Sequence, residues 1–269
     1  MTTRIGFCGL GKLGHPVAVA IARRFPVIGY DKNPEYRKKQ NPWSTMETGP
    51  DGSQPFQLYL DKSTLRYASS VQEMVENSDI IFVAVQTPHQ EEFDGTHFLT
   101  ERRADFDYTY LKEACQEIAS FVRKEQTVAI ISTVLPGTMR REIVPILGDK
   151  CRLCYTPQFI AMGTVIYDYD NPEFVMMGRA KHGDEEGLFQ FYSEYYPGPF
   201  CNFLEMSFES AELVKVVYNC YIGMKVVLGN MIGELSHKIP GCDCDDVKGA
   251  LSYATNRLLS DKYMTSGMG

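Results

Sequence analysis

Near the start of the chain stands Ile5-Gly6-Phe7-Cys8-Gly9-Leu10-Gly11-Lys12-Leu13-Gly14, and Asp31 closes the next apolar stretch, Pro26-Val27-Ile28-Gly29-Tyr30. The run predicts a strand, a glycine turn and a helix N-terminus. Gly9 permits the tight turn, Gly11 lets backbone approach a pyrophosphate, and Gly14 lets helix pack on strand. Unsatisfied N–H groups and the helix dipole at that start favour a phosphate. Asp31 lies roughly 20 residues beyond the turn, where a carboxylate accepts hydrogen bonds from a ribose diol. A carboxylate there repels a 2′-phosphate, so the expected dinucleotide is NAD rather than NADP.

The chain has 269 residues, 44% of them apolar, enough for about two domains with real cores. A net charge of -7 without a basic stripe argues against nucleic acid or a membrane surface as partner. Arg23-Arg24 and Arg140-Arg141 are short pairs that suit solvated helix faces. No signal peptide or membrane-length apolar run is visible, and the eight cysteines fit a reducing cytoplasm, the expected location. Cys151-x-x-Cys154 and Cys242-x-Cys244 lack a partner pair with zinc-ribbon spacing, so buried thiols are expected and no metal.

Apolar runs at 5–9, 26–31, 65–68, 79–85, 127–134 and 152–156 predict strands. Between them, 12–24, 71–77, 108–124 and 137–147 predict helices. Such alternation implies an α/β fold, a Rossmann-type doubly wound parallel sheet. Residues 41–62 and 89–107 are expected to be irregular. Short strands at 174–178 and 202–205 flank a helix over 184–195. From 207 to 238 the pattern is one long helix, followed by a last helix capped by Asp243 or Asp245 and running to Leu259. The expected boundary puts an NAD-binding domain at 1–205 and an all-α, long-helix segment at 206–269. The long helix is a candidate homodimer seam or a domain-spanning core helix.

In open α/β sheets, ligands sit beyond the C-terminal ends of strands. Val85-Gln86-Thr87-Pro88, Ser132-Thr133-Val134-Leu135-Pro136-Gly137-Thr138 and the stretch from Tyr155 to Thr164 all fall there. Singly, each also suits a strand-ending turn. Together with the glycine turn they mark one edge as a site. Lys215 and Asn219 share a helix face, where lysine and amide can stabilise an oxygen that develops negative charge. A surface lysine beside an unrelated asparagine is the plain alternative.

These motifs, with Ala104-Asp105-Phe106-Asp107-Tyr108, Thr156-Pro157-Gln158-Phe159, Asn171-Pro172-Glu173-Phe174-Val175 and the run from Glu212 to Asn219, occur in one order along essentially the whole chain. In that order and spacing the sequence resembles the UDP-glucose/GDP-mannose dehydrogenase family. The resemblance implies an enzyme that oxidises the C6 alcohol of a UDP- or GDP-sugar to a carboxylate with two NAD. UDP-glucose 6-dehydrogenase and its place in polysaccharide biosynthesis are the pattern. It also implies a cysteine nucleophile that holds the aldehyde as a thiohemiacetal and then a thioester. By motif position Lys215 and Asn219 stabilise oxyanions and Thr133 helps place a water. Gly9, Gly11, Lys12, Leu13, Gly14, Asp31, Val85, Thr87, Pro88, Ser132 and Thr133 are expected to hold the cofactor.

Two departures from the family pattern stand out. Gln158 and Met162 occupy positions where the family carries acids, so no acid/base role passes to them. The family's cysteine lies in a Gly-x-Gly-Gly-x-Cys stretch, whereas the sequence ends at Gly267-Met268-Gly269, and none of its eight cysteines matches that position. The expectation is a chain that is shortened, whether naturally, by engineering or by proteolysis. It lacks the sugar-nucleotide-binding domain, supplies NAD binding and part of the active site, and is inactive alone. Two rivals remain. A 3-hydroxyacid or 6-phosphogluconate-type dehydrogenase shares the turn and a Lys-x-x-x-Asn helix, although the Thr-Pro and Ser-Thr-Val segments speak against it. A non-catalytic NAD-binding dimerisation module fits Gln158 and Met162.

Overall fold

A computed structural model describes residues 2–42, 55–93, 96, 101–198 and 201–258. The chain divides into two compact units, Met1–Val216 and Val217–Gly269.

The first unit is built on an eight-stranded sheet of β1 (Ile5–Cys8), β2 (Val27–Tyr30), β3 (Arg66–Tyr67), β4 (Ile80–Val83), β5 (Thr127–Ile130), β6 (Arg152–Tyr155), β7 (Phe174–Arg179) and β8 (Asn202–Ser207). Its order is β3-β2-β1-β4-β5-β6-β7-β8, with β1 to β6 all parallel. Residues of β1, β4 and β5 are buried throughout, the continuous apolar pattern of strands covered on both faces. Successive side chains alternate between two cores. Ile5, Phe7, Phe82 and Ala129 point into one, and Cys8, Ile81, Val83 and Val128 into the other. Cys154 and Cys151 fall into these opposite cores and are both buried.

The chain leaves β1 towards β2 on one side and returns to β4 on the other. That reversal opens a crevice at the strand C-termini, as it does in doubly wound sheets generally. Helices α1 (Gly14–Ile21), α2 (Pro55–Lys62), α3 (Val71–Glu76), α4 (Thr109–Ala119), α5 (Val144–Leu147), α6 (Val165–Asp170) and α7 (Glu186–Tyr195) belong to this unit, with the first turns of α8 (Phe208–Lys238).

Several details differ from the sequence expectation. Residues 55–62 form a helix rather than an irregular excursion, because Phe56 and Leu60, one turn apart, are both buried in the core. Positions 43–54 of that excursion, and 94, 95 and 97–100 of the later loop, lie outside the described residues. The expected helix over 137–147 begins as a wide π-turn, Met139–Ile143, before α5. Pro145 has no N–H for the carbonyl of Arg141, so the helical ladder widens at that point. β7 runs antiparallel to β6, a direction that side-chain alternation does not encode. Helix α6 was not anticipated, since its buried Val165, Ile166 and Tyr169 are interleaved with acids.

The second unit holds the rest of α8, then α9 (Cys244–Ser252) and α10 (Thr255–Leu258). Asp243 caps α9, its carboxylate accepting from the Asp245 N–H at 2.8 Å. The expected single helix breaks at Tyr253, whose N–H turns back to Ala250, and Leu259 lies outside the described residues. Among the described residues no helix is long and apolar enough to cross a membrane.

Gly14 gives a direct test of the turn's packing, because a Cβ there would run into the Gly9 carbonyl oxygen. Gly14→Ala is expected to cost about 2 kcal/mol and to lower the thermal midpoint by roughly 4–8 °C, measured by circular-dichroism melting. An unchanged midpoint would refute the close approach.

Candidate functional site

A cleft of about 820 Å³ lies at the C-terminal ends of the central strands. It brings together Gly9, Gly11, Lys12 and Leu13 from the turn after β1, and Tyr30, Asp31, Lys32, Asn33 and Tyr36 from the end of β2. Val85, Gln86 and Thr87 follow β4, Ser132 and Thr133 follow β5, and Gln158 and Met162 follow β6. Of the expected cofactor residues, Gly14 and Pro88 do not line it. Gly14 packs beneath the turn, and the Pro88 carbonyl accepts from the Asp107 N–H at 2.8 Å.

The turn has the geometry a pyrophosphate needs. Gly9 has φ 100°, and a Cβ there would meet the Ala84 oxygen at 2.5 Å. A Cβ on Gly11 would meet nothing within 4 Å, so the backbone at this point is open to the cleft. Among the described residues no side chain caps α1, and its first turn carries no acid, so its N-terminal dipole is uncompensated. The Asp31 carboxylate is fixed by the N–H groups of Leu10 at 2.7 Å and Asn33 at 2.8 Å. Lone pairs remain on both oxygens for a diol. The residues present fit NAD.

Side-chain hydrogen bonds hold the strand ends together. The Ser132 hydroxyl donates to the Val85 carbonyl at 2.6 Å, and the Thr87 hydroxyl to the Thr133 carbonyl at 2.7 Å. The Tyr108 hydroxyl donates to Asp105 at 2.6 Å and accepts from the Leu135 N–H and the Thr138 hydroxyl, both at 3.1 Å. Burial, reinforced by Asp105, pushes the Tyr108 phenol up to about 12. Glu212 of α8 is fully buried, and its carboxylate accepts from the Gly137 and Met139 N–H groups, each at 2.6 Å. Burial raises its pKa against the pull of those two donors.

Lys215, one turn further along α8, does not line the cleft. It is 8% exposed, and its ammonium donates to the Gln158 carbonyl at 2.8 Å and sits 4.9 Å from the Phe159 ring centroid. Among the described residues no carboxylate forms an ion pair with it, and burial lowers its pKa to about 8. Asn219 belongs to the second unit and is exposed. The Gln158 amide donates to the Thr156 carbonyl at 3.0 Å, and Met162 is 59% exposed.

Cys8, at the cleft, is no nucleophile, because burial and then Asp31 push its thiol up to about 12. Among the described residues no group of three or more His, Cys, Asp or Glu is placed to hold a metal. Sequence reasoning missed the bracing role of Tyr108 and a whole wall of the cleft, Tyr110, Glu113, Ala114 and Glu117 of α4. The signal for that wall was present. These residues recur at helical spacing on the face away from buried Leu111, Cys115 and Ile118.

Residues 3–196 match the model of the UDP-glucose/GDP-mannose dehydrogenase family, NAD binding domain. The chain belongs to this family, as its motifs imply, and its cofactor is NAD. It is 27% identical to the GDP-mannose 6-dehydrogenase of Pseudomonas putida, over 98% of this chain and 59% of that protein. It is 26% identical to UDP-glucose 6-dehydrogenase 1 of Glycine max, over 97% and 54%. A crystal structure of a ternary complex of GDP-mannose dehydrogenase from Pseudomonas aeruginosa superposes with a TM-score of 0.79 at 26% identity, covering 99% of this chain and 60% of that one. The chain thus spans a little over half the length of these relatives.

The Lys215 assignment predicts a pH signature. Between about 8 and the unfolded value of 10.5 the folded state has lost this proton while the unfolded state still binds it, so folding stability rises with pH across that window. Below about pH 8 the cost of burying the charge is present in full. In urea unfolding at pH 7 to 10, wild-type stability relative to Lys215→Met is expected to climb with pH. A pH-independent difference would show that Lys215 is not buried as a cation.

Proposed function

We propose that this chain is the NAD-binding part, with a share of the active site, of a nucleotide-sugar 6-dehydrogenase that converts the C6 alcohol of a UDP- or GDP-sugar to a carboxylate. The single observation that carries this reading is the cleft. It joins an open Gly11 backbone, a fixed Asp31 and the β4, β5 and β6 ends in one continuous space. Relatives named for GDP-mannose and UDP-glucose oxidation support it and leave the sugar undetermined. NAD supplies the hydride acceptor for the alcohol carbon.

The chain's own residues prepare the reaction space. Gly9, Gly11, Lys12 and Leu13 receive the pyrophosphate, and Asp31 orients the adenosine ribose. Val85, Thr87, Ser132 and Thr133 shape the path towards the nicotinamide, with Thr133 also placing a water. Lys215 stabilises oxygen as it becomes negative, helped by Asn219 one helical turn on. Residues 1–205 form the NAD-binding domain, and residues 206–269 begin a helical dimerisation domain.

A cytoplasmic homodimer is part of this reading. In the second unit Val217, Tyr221, Met224, Leu228, Met231 and Leu235 are each more than 40% exposed. They recur at alternating steps of four and three, the spacing of a coiled-coil seam. Met224→Asp with Leu228→Asp is expected to shift the sedimentation coefficient from dimer to monomer. An unchanged coefficient in a dimeric wild type would place the interface elsewhere.

One observation favours the second reading, a non-catalytic NAD-binding module. Gln158 and Met162 leave the cleft without the acids the family carries at these positions. The two readings separate in one experiment. The 269-residue chain is expected to bind NADH in a fluorescence titration and to form no NADH from NAD with UDP-glucose or GDP-mannose. Activity restored by the remaining segment of a family enzyme supports the dehydrogenase, and binding without restorable turnover supports the module. Absence of NADH binding would overturn both.

A further inference from the structure

The ribose end of the cleft carries a wall that neither the glycine turn nor Asp31 explains. Glu113 and Glu117, one turn apart on α4, line the cleft with Asp31 and Lys32. Leu111, Cys115 and Ile118 anchor the opposite face of α4 in the core, so these carboxylates are presented by a fixed helix. Among the described residues lining the cleft, the lysines are Lys12 and Lys32. Lys12 belongs to the pyrophosphate turn, which leaves Lys32 as the ammonium beside Asp31. Its Nζ donates to Glu113 Oε2 at 3.1 Å, joining the loop after β2 to α4.

A lysine next to the ribose acid is otherwise a ready counter-ion for a 2′-phosphate, a group with nearly two negative charges and three acceptor oxygens. We propose that Glu113 is a cofactor-selectivity residue, which engages Lys32 and so denies the 2′-phosphate of NADP(H) a cation, independently of Asp31. The inference rests on the cofactor cleft alone and not on the sugar substrate. The Lys32–Glu113 pair is exposed, with side chains 80% and 48% accessible, so its contribution to folding is small and its effect is on the charge a ligand meets. Glu117 adds a further carboxylate at the same end. Removing Asp31 alone therefore leaves the end acidic and its ammonium occupied, and does not turn the protein into an NADP(H) binder.

The test is a pair of fluorescence titrations, NADH and NADPH, on the 269-residue chain at low and at physiological salt. In Glu113→Gln the Kd for NADPH is expected to fall by about fivefold or more at low salt, with the Kd for NADH unchanged within about twofold. The gain shrinks at higher salt, where the Debye length is about 8 Å. In a Lys32→Met background the same substitution gives a markedly smaller gain. An unaltered NADPH-to-NADH ratio in Glu113→Gln, or a gain just as large without Lys32, would overturn the proposal. Asp31→Ser, titrated alongside, reports separately on the ribose assignment of Asp31.

Discussion

Backbone meets backbone where Gly9, Gly14 and Ala84 converge, and the rest of the site follows from that contact. The Gly9 N–H is given to the end of β2 at Tyr30, and the Ala84 N–H to the end of β1 at Cys8, both at 2.8 Å. The space a Cβ would fill on Gly9 is taken by the Ala84 carbonyl, and that on Gly14 by the carbonyl of Gly9. Three strand ends and a helix N-terminus are thereby drawn closer than side chains would permit. The dipole of α1 then faces the crevice that the reversal of strand order opens. Asp31 is set by the same contact, since one of its oxygens is held by the Leu10 N–H within the turn.

The far side of the cleft is secured by polar side chains acting on backbone. Ser132 donates to the Val85 carbonyl and Thr87 to the Thr133 carbonyl across the β4 and β5 ends, Tyr108 braces the turn at Leu135 and Thr138, and Glu212 holds Gly137 and Met139. Glu212 is the costliest of these groups to bury, because a carboxylate without water is stable only when donors replace the water. Two short N–H contacts at the mouth of the π-turn do so. The wide turn forced by Pro145 and the buried acid of α8 are thus parts of one solution, and Lys215 inherits its position from it.

Much of this was legible in the amino-acid order. The continuous apolar runs at Ile5–Cys8 and Ile80–Val83 specify strands buried on both faces, and the glycine spacing specifies the turn. An acidic cap at Asp243 or Asp245 was visible because a short acid before a helix has a local partner, and the structure selects Asp243. What was not legible depends on partners distant in sequence. The direction of β7 leaves no trace in side-chain period, and α2 is held by Phe56 and Leu60 meeting a core assembled elsewhere. The α4 wall shows in the sequence as a helix face at regular spacing, but only the fold sets that face on the cleft. Lys215 illustrates the same limit. Its spacing placed it on a helix face, but its acceptor is a main-chain carbonyl, which no residue pattern announces.

Gln158 shows how a departure from a family pattern can be internally consistent. Its amide nitrogen donates to the Thr156 carbonyl and lies 3.4 Å from the Tyr192 hydroxyl. A carboxylate in that pose would set oxygen against the Thr156 oxygen, acceptor facing acceptor, so the neutral amide suits the local geometry better than the acid it replaces. Lys215 meets the same segment through the Gln158 main-chain carbonyl. A carboxylate nearby would favour the charged ammonium, whereas a carbonyl dipole and the face of Phe159 only partly offset the loss of water. Burial then dominates, and the lysine titrates near pH 8 rather than 10.5. Gln158 thereby satisfies a main-chain carbonyl, and the neighbouring lysine, lowered by burial, keeps its proton up to about pH 8.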